Sequence, residues 1–162
     1  MKRILLAFFL LTASLTPAHA QKVFAEIRDK AKSIAENPNA NELIRKVNQF
    51  KVDELNYMVM KMKEEMPDSS TIFLDKQAFA MNQFVNTYLQ KLVDLSSQPK
   101  VLQVKLTRLF MDASYSNPLF HDSDKELVLT YYNDAESIIR FSLDTDWRRA
   151  NVAILMHLPE FD

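Results

Sequence analysis

Apolar residues recur at steps of three and four along most of this chain, the spacing that stacks side chains on one face of an α-helix. Val23, Phe24, Ile27, Ala31, Ile34 and Ala35 predict a first helix over 23–36, ended by Asn37-Pro38-Asn39, because the residue before a proline avoids helical geometry. A second helix is expected from about Asn41 to Met66. Its front part carries Leu43, Val47 and Phe50, and its rear part Val52, Leu55, Val59, Met62 and Met66. The two stripes fall out of phase near Lys51–Asp53, so this helix either bends there or is covered on more than one side. Pro67 stops it, and Asp68, Ser69 or Ser70 can cap the next.

The third helix has the cleanest period: Leu74, Ala78, Met81, Val85, Tyr88, Leu92 and Leu95, widened by Phe73, Ala80 and Phe84. Joined by so few residues, helices two and three should form an antiparallel hairpin at the centre of the fold. Pro99 suits the start of a fourth helix through Leu102, Leu106, Leu109 and Ala113. Ser114 to Phe120 reads as a loop around Asn117-Pro118. Ser123 and Glu126 form a capping box for a fifth helix ending near Asn133. Ile139, Phe141 and Leu143 alternate with polar residues, as in a short extended segment. Asp144 or Thr145 then opens a last helix through Trp147, Val152, Leu155 and Met156, with Pro159 beyond its end. The pattern predicts an all-α fold, a bundle of about five to six helices organised on the central antiparallel hairpin.

The first twenty residues follow a different rule. Lys2 and Arg3 precede the unbroken apolar run Ile4 to Leu11, and Ala18-His19-Ala20 ends the segment with small residues at the positions a signal peptidase accepts. Thr12, Ser14, Thr16 and Pro17 interrupt the run well short of the roughly 20 apolar residues a spanning helix needs. These features predict a secretory signal peptide over 1–20, cleavage after Ala20, and a single helical domain over 21–162. A secreted or periplasmic protein without stable membrane insertion follows. With no cysteine, neither disulfides nor a lipid-modified cysteine can contribute.

Composition narrows the chemistry. The signal takes two of the 20 basic residues and none of the 21 acidic ones, leaving a formal charge of −3, too acidic overall to favour nucleic acid, whose recognition needs a clustered positive face. The chain has no glycine at all. That excludes phosphate-cradling glycine loops, dinucleotide fingerprints and the Gly-x-Ser-x-Gly elbow. It also disfavours tight hairpins of β-structure. Asn can serve at helix ends instead, and Asn37, Asn39, Asn117 and Asn133 stand at the predicted breaks.

Three constellations remain. Met58, Met62 and Met66 are four apart, so their thioethers line one helical face. That face is a soft-metal site for Cu(I), adaptable core, or a greasy groove for a partner. Without His or Cys partners, copper is the weakest of these. The acids Asp122, Asp124, Glu126, Asp134, Glu136, Asp144 and Asp146 form the second. Asp122-Ser123-Asp124 resembles the opening of a calcium loop, but Leu127 stands where glycine belongs and Asn133 where a bidentate Glu belongs. Helix capping explains these acids better, and a carboxylate-based small hydrolase is the alternative. Third, Trp147 with Arg148 and Arg149 is a candidate hot spot, against packing of Trp147 beneath the last helix with Asp144 paired to Arg148. No cofactor or metal site is expected.

Phe50 to Met66, Met111-Asp112-Ala113-Ser114, Ser116 to Phe120 and Phe141 to Trp147 together resemble small exported helical proteins of Bacteroides-type Gram-negative bacteria. The resemblance implies a periplasmic or extracellular setting and carries over neither an activity nor a functional residue. The expectation is a non-enzymatic exported helical protein that binds another macromolecule or has an envelope role. Its candidate protein-binding residues are Met58, Met62, Met66, Tyr115, Leu119, Phe120 and Trp147.

Overall fold

A computed structural model describes residues 22–121 and 139–157. These residues form five α-helices and no strand: α1 (Lys22–Ala35), α2 (Glu42–Glu65), α3 (Thr71–Asp94), α4 (Lys100–Tyr115) and α5 (Trp147–His157). The expected helix over Ser123–Asn133 lies outside the described residues, as do residues 1–21. No described helix is long and apolar enough to cross a membrane.

Helix ends follow from local chemistry. The Asn41 side chain accepts the Leu43 N–H at 2.9 Å and opens α2, and Ser70 accepts the Ile72 N–H at 3.1 Å and opens α3. No acidic residue stands in the first turn of α1, and Asp75 of α3 accepts the Phe24 N–H at 2.8 Å instead. Pro99 opens α4 without a side-chain cap. Among the described residues His121, at φ 57°, is the one with positive φ. Asn37, Asn39 and Asn117 therefore do not replace glycine's left-handed backbone, and Asn133 lies outside the described residues. Two of them act through their side chains: Asn37 Oδ1 accepts the Asn39 N–H, and Asn117 Nδ2 donates to the Ala113 carbonyl.

The phase shift in α2 is resolved as coverage on more than one side. The helix is continuous, and Val47, Phe50, Lys51, Glu54, Leu55, Tyr57, Met58 and Met62 are all buried. On α3 the predicted stripe packs inward, with Ala78, Met81, Val85 and Tyr88 fully or nearly fully buried. Residues 139–146, where alternation suggested extended structure, form irregular chain with no ladder. This segment carries Phe141 into the core, where its ring meets Phe50 (5.9 Å), Phe84 (5.2 Å) and Tyr88 (5.2 Å) edge-on. Trp147 completes the cluster against Phe50 and Phe84. Aromatic pairs of this geometry contribute about 0.5–1.5 kcal/mol each beyond the area they bury.

Two expectations about α5 are corrected. Asp146, rather than Asp144 or Thr145, caps it, accepting the N–H groups of Arg148 and Arg149. The inward stripe is Trp147, Ala150 and Ile154, whereas Val152, Leu155 and Met156 face outward, the last two about 75% exposed. Once Trp147 is locked into the aromatic cluster, the helical period carries Ile154 inward and turns Leu155 away.

Candidate functional site

The Met face divides. Met58 is fully buried among core residues, while Met62 and Met66 border an open groove of about 490 Å³ formed by α1, the end of α2 and the start of α3. Phe24, Val59 and Leu74 supply its other apolar walls, and Pro67, Ser69 and Thr71 close one end. Two cations, Arg28 and Lys63, line the groove, and none of its lining residues is acidic. The Arg28 guanidinium rests over the Phe24 ring at 5.5 Å and pairs with Asp29 at 3.0 Å. Lys63 has no ionic partner among the described residues. Met58 does not line this groove, so two of the three thioether residues border it and the third is core. No cluster of three His, Asp or Glu suited to a metal exists among the described residues.

The other sequence-predicted residues are mostly structural. Trp147 and Phe120 are buried, Leu119 is half-buried, and Tyr115 keeps an exposed edge. Trp147 is therefore a core residue packed beneath the last helix rather than a surface hot spot. Arg149 rather than Arg148 forms the neighbouring ion pair, to Asp146 at 3.4 Å.

Of the seven acids, Asp122, Asp124, Glu126, Asp134 and Glu136 lie outside the described residues. The remaining two hold backbone. Asp144 Oδ1 accepts the N–H groups of Leu119 (3.0 Å) and Phe120 (2.7 Å), fixing the 116–121 loop to the 139–147 segment. Asp146 Oδ1 also accepts from Gln77 Nε2 at 3.0 Å, while Gln77 Oε1 accepts the Trp147 N–H at 2.9 Å. Ser114 and Thr145 share a buried 2.8 Å hydrogen bond, and Ser114 Oγ accepts the Ser142 N–H. In both aspartates Oδ1 is thus engaged by N–H donors, and Asp146 Oδ2 meets Arg149.

Sequence reasoning missed Glu54. It is fully buried, and the Trp147 indole N–H donates to its Oε1 at 2.7 Å, while Oε2 has no partner among the described residues. Burial pushes its carboxyl well above the usual range. The Trp147 hydrogen bond opposes this and the charge of Asp144 adds to it. A raised carboxyl is a common mark of acid catalysis, but Glu54 borders neither the Met groove nor the cleft around Lys51. The signal that could have located it was the phase break at Lys51–Asp53: two-sided coverage of α2 requires polar side chains between the stripes to be buried.

No known family matches this chain. No curated protein and no solved structure matches it either, so the functional reading rests on the geometry.

Proposed function

We propose that the protein is a non-enzymatic binding protein whose Met62–Met66 groove receives an apolar segment of another protein flanked by acidic residues. One observation carries the reading: an open groove with apolar walls and two cations on its lining, without an acid among them. Thioether side chains adapt to varied apolar shapes, which suits a docking surface. The groove lies where α2 gives way to α3, and in this reading the α2–α3 hairpin is the frame of the bundle, its turn forming one end of the site. Residues 1–20 support export of the chain before it meets its partner. A photoreactive amino acid at position 63, introduced in the producing cell, should cross-link one dominant protein, and the adduct should weaken in Met66→Lys. The same probe at exposed Lys105 on α4 should not. Equal labelling from both positions would refute the reading. Sequencing the exported protein from its N-terminus should begin at Gln21, and retention of residues 1–20 would refute cleavage.

A further inference from the structure

We propose that a second cleft, bounded by α1, α2 and α3 around Lys51, binds a small organic carboxylate with a short hydrocarbon body. The cavity measures about 270 Å³. That is near the low end of the roughly 300–1,000 Å³ typical of small-molecule sites, so it suits a short-chain or single-ring acid.

The polar wall is built around one ammonium. The Lys51 side chain is buried, and its Nζ donates to Asn82 Oδ1 and Asn86 Oδ1, each at 2.8 Å. These two acceptors occupy two of its three N–H groups and carry no charge. Among the described residues the third N–H has no acceptor, and no carboxylate lies within ion-pair distance of Nζ. The amide N–H groups of Asn82 and Asn86 have no partner there either. Buried cations are ordinarily paired, because removing a charge from water is costly. An Asp at position 82 or 86 would neutralise the lysine internally. Asn holds the ammonium in place and leaves its charge open to an incoming anion.

The remaining walls specify the ligand's other end. Ile27 and Ile34 from α1, Ile44 from α2 and Leu89 from α3 line the same cavity. The other charged group on its lining is Lys30 of α1, again a cation, and α3 contributes only amides and Leu89. Burial, with Lys30 adding to it, pulls the Lys51 amine down to about 8, so the amine remains mostly protonated near neutral pH. A carboxylate docked against Nζ would gain a charge-assisted hydrogen bond and raise that value. Its hydrocarbon body would cover the isoleucine and leucine side chains. A cationic ligand is rejected by both lysines.

The test uses the purified protein with hexanoate, and with 1-hexanol and hexylamine as neutral and cationic counterparts. Binding is read by calorimetry and by the NMR titration of the lysine Cε signals. The expected result is saturable hexanoate binding, an upward shift of the Lys51 titration on binding, and no comparable binding of the other two. Lys51→Met should weaken hexanoate about tenfold or more, because a charge-assisted hydrogen bond is lost. Asn82→Ala, which leaves the charge in place, should weaken it less. Met66→Lys, in the separate groove, should leave it unchanged. Hexanoate that fails to bind or to move the wild-type Lys51 signal, hexanol that binds equally well, or a Lys51→Met protein with full affinity would each overturn the proposal.

Discussion

Replacing Glu54 with glutamine should change how stability depends on pH more than it changes stability at any one pH. The folded protein holds the Glu54 carboxyl in the core, where burial raises its pKa well above 4.5. In the unfolded chain the same group ionises near the ordinary value. Below about pH 4.5 both states carry the proton and Glu54 contributes no pH dependence. Between that value and the raised folded one, the native state keeps a proton that the unfolded state has released. Wild-type stability must therefore fall as pH rises through this window, by about 1.4 kcal/mol per pH unit from this one group. The carboxamide of Glu54→Gln offers the same acceptor to the Trp147 indole and has no proton to lose. As pH rises above about 4.5 the variant should gain on wild type by up to about 1.4 kcal/mol per pH unit for as long as the folded wild type keeps this proton. At roughly 4 °C per kcal/mol for a domain of this size, that is a relative rise in Tm of up to about 6 °C per pH unit. Urea unfolding at a series of pH values, followed by the fluorescence of Trp147, the single and fully buried tryptophan, measures it directly. Parallel stability curves for the two proteins would refute the argument. So would a variant that loses ground as pH rises, since Glu54 would then be ionised and stabilising in the fold.

Asp144→Ala should destabilise by about 3 kcal/mol, because it strands the buried Phe120 N–H together with that of Leu119; thermal unfolding measures the loss, and a change below about 0.5 kcal/mol contradicts the role given to this carboxylate. Ser70→Ala removes the α3 cap and should cost about 1 kcal/mol, with Ser70→Asp restoring it in the same denaturant titration. Lys51→Met should stabilise the unliganded protein below pH 8 by about 1–3 kcal/mol. The folded-state pKa of Lys51 is depressed to about 8, so the wild type recovers stability as pH climbs from there towards the unfolded value near 10.5, and the variant's advantage should vanish across that range. Leu155→Ser on the outward face of α5 should stay within about 0.5 kcal/mol of wild type, and a larger loss in chemical denaturation would mean that Leu155 packs inward.

The helices themselves were readable because their apolar stripes are long and their stops are chemical: Pro38, Pro67 and Pro99 stand at breaks, and Asn41 and Ser70 cap as their side chains allow. The α5 face was not. In eleven residues, Trp147-Ala150-Ile154 and Val152-Leu155-Met156 are both acceptable stripes, and only the tertiary anchoring of Trp147 among Phe50, Phe84 and Phe141 selects between them. Polar core residues were harder still. Gln77, Glu54 and Lys51 occupy mid-helix positions that read as solvent-facing, because a helical period records where apolar side chains go and says nothing of a polar partner arriving from elsewhere in the chain. The partners come from residues 31 to 93 positions away, Asn82 and Asn86 for Lys51, Asp146 and Trp147 for Gln77, and Trp147 for Glu54. Half of the Met face was legible: spacing put Met58, Met62 and Met66 in a row, but whether that row meets core or groove depends on where α1 crosses, and α1 leaves only Met62 and Met66 at the opening.

The distribution of charge among these parts leads to a preference that net charge would not suggest. Where the irregular 139–146 segment enters the bundle and runs into α5, the N–H groups of Ser142 and Trp147 are met by the side chains of Ser114 and Gln77, and those of Thr145 and Asp146 by backbone carbonyls. Asp144 and Asp146 accept backbone N–H groups of neighbouring segments, Leu119 and Phe120 in the loop and Arg148 and Arg149 in α5, and Asp75 accepts that of Phe24 in α1. Burial pushes the Glu54 carboxyl towards its neutral form. The carboxyl groups nearest the core are thus tied to backbone donors or pushed towards neutrality, while Lys51 in one cleft and Lys63 in the other have no ion-pair partner among the described residues. In a chain with a slight excess of acids, the charged residues lining these two clefts are therefore all cations. Anionic ligands and acidic partner segments should gain from both clefts, and raising the salt concentration should weaken the exposed Lys63 groove more than the buried Lys51 cleft, since screening acts chiefly on charges in contact with solvent.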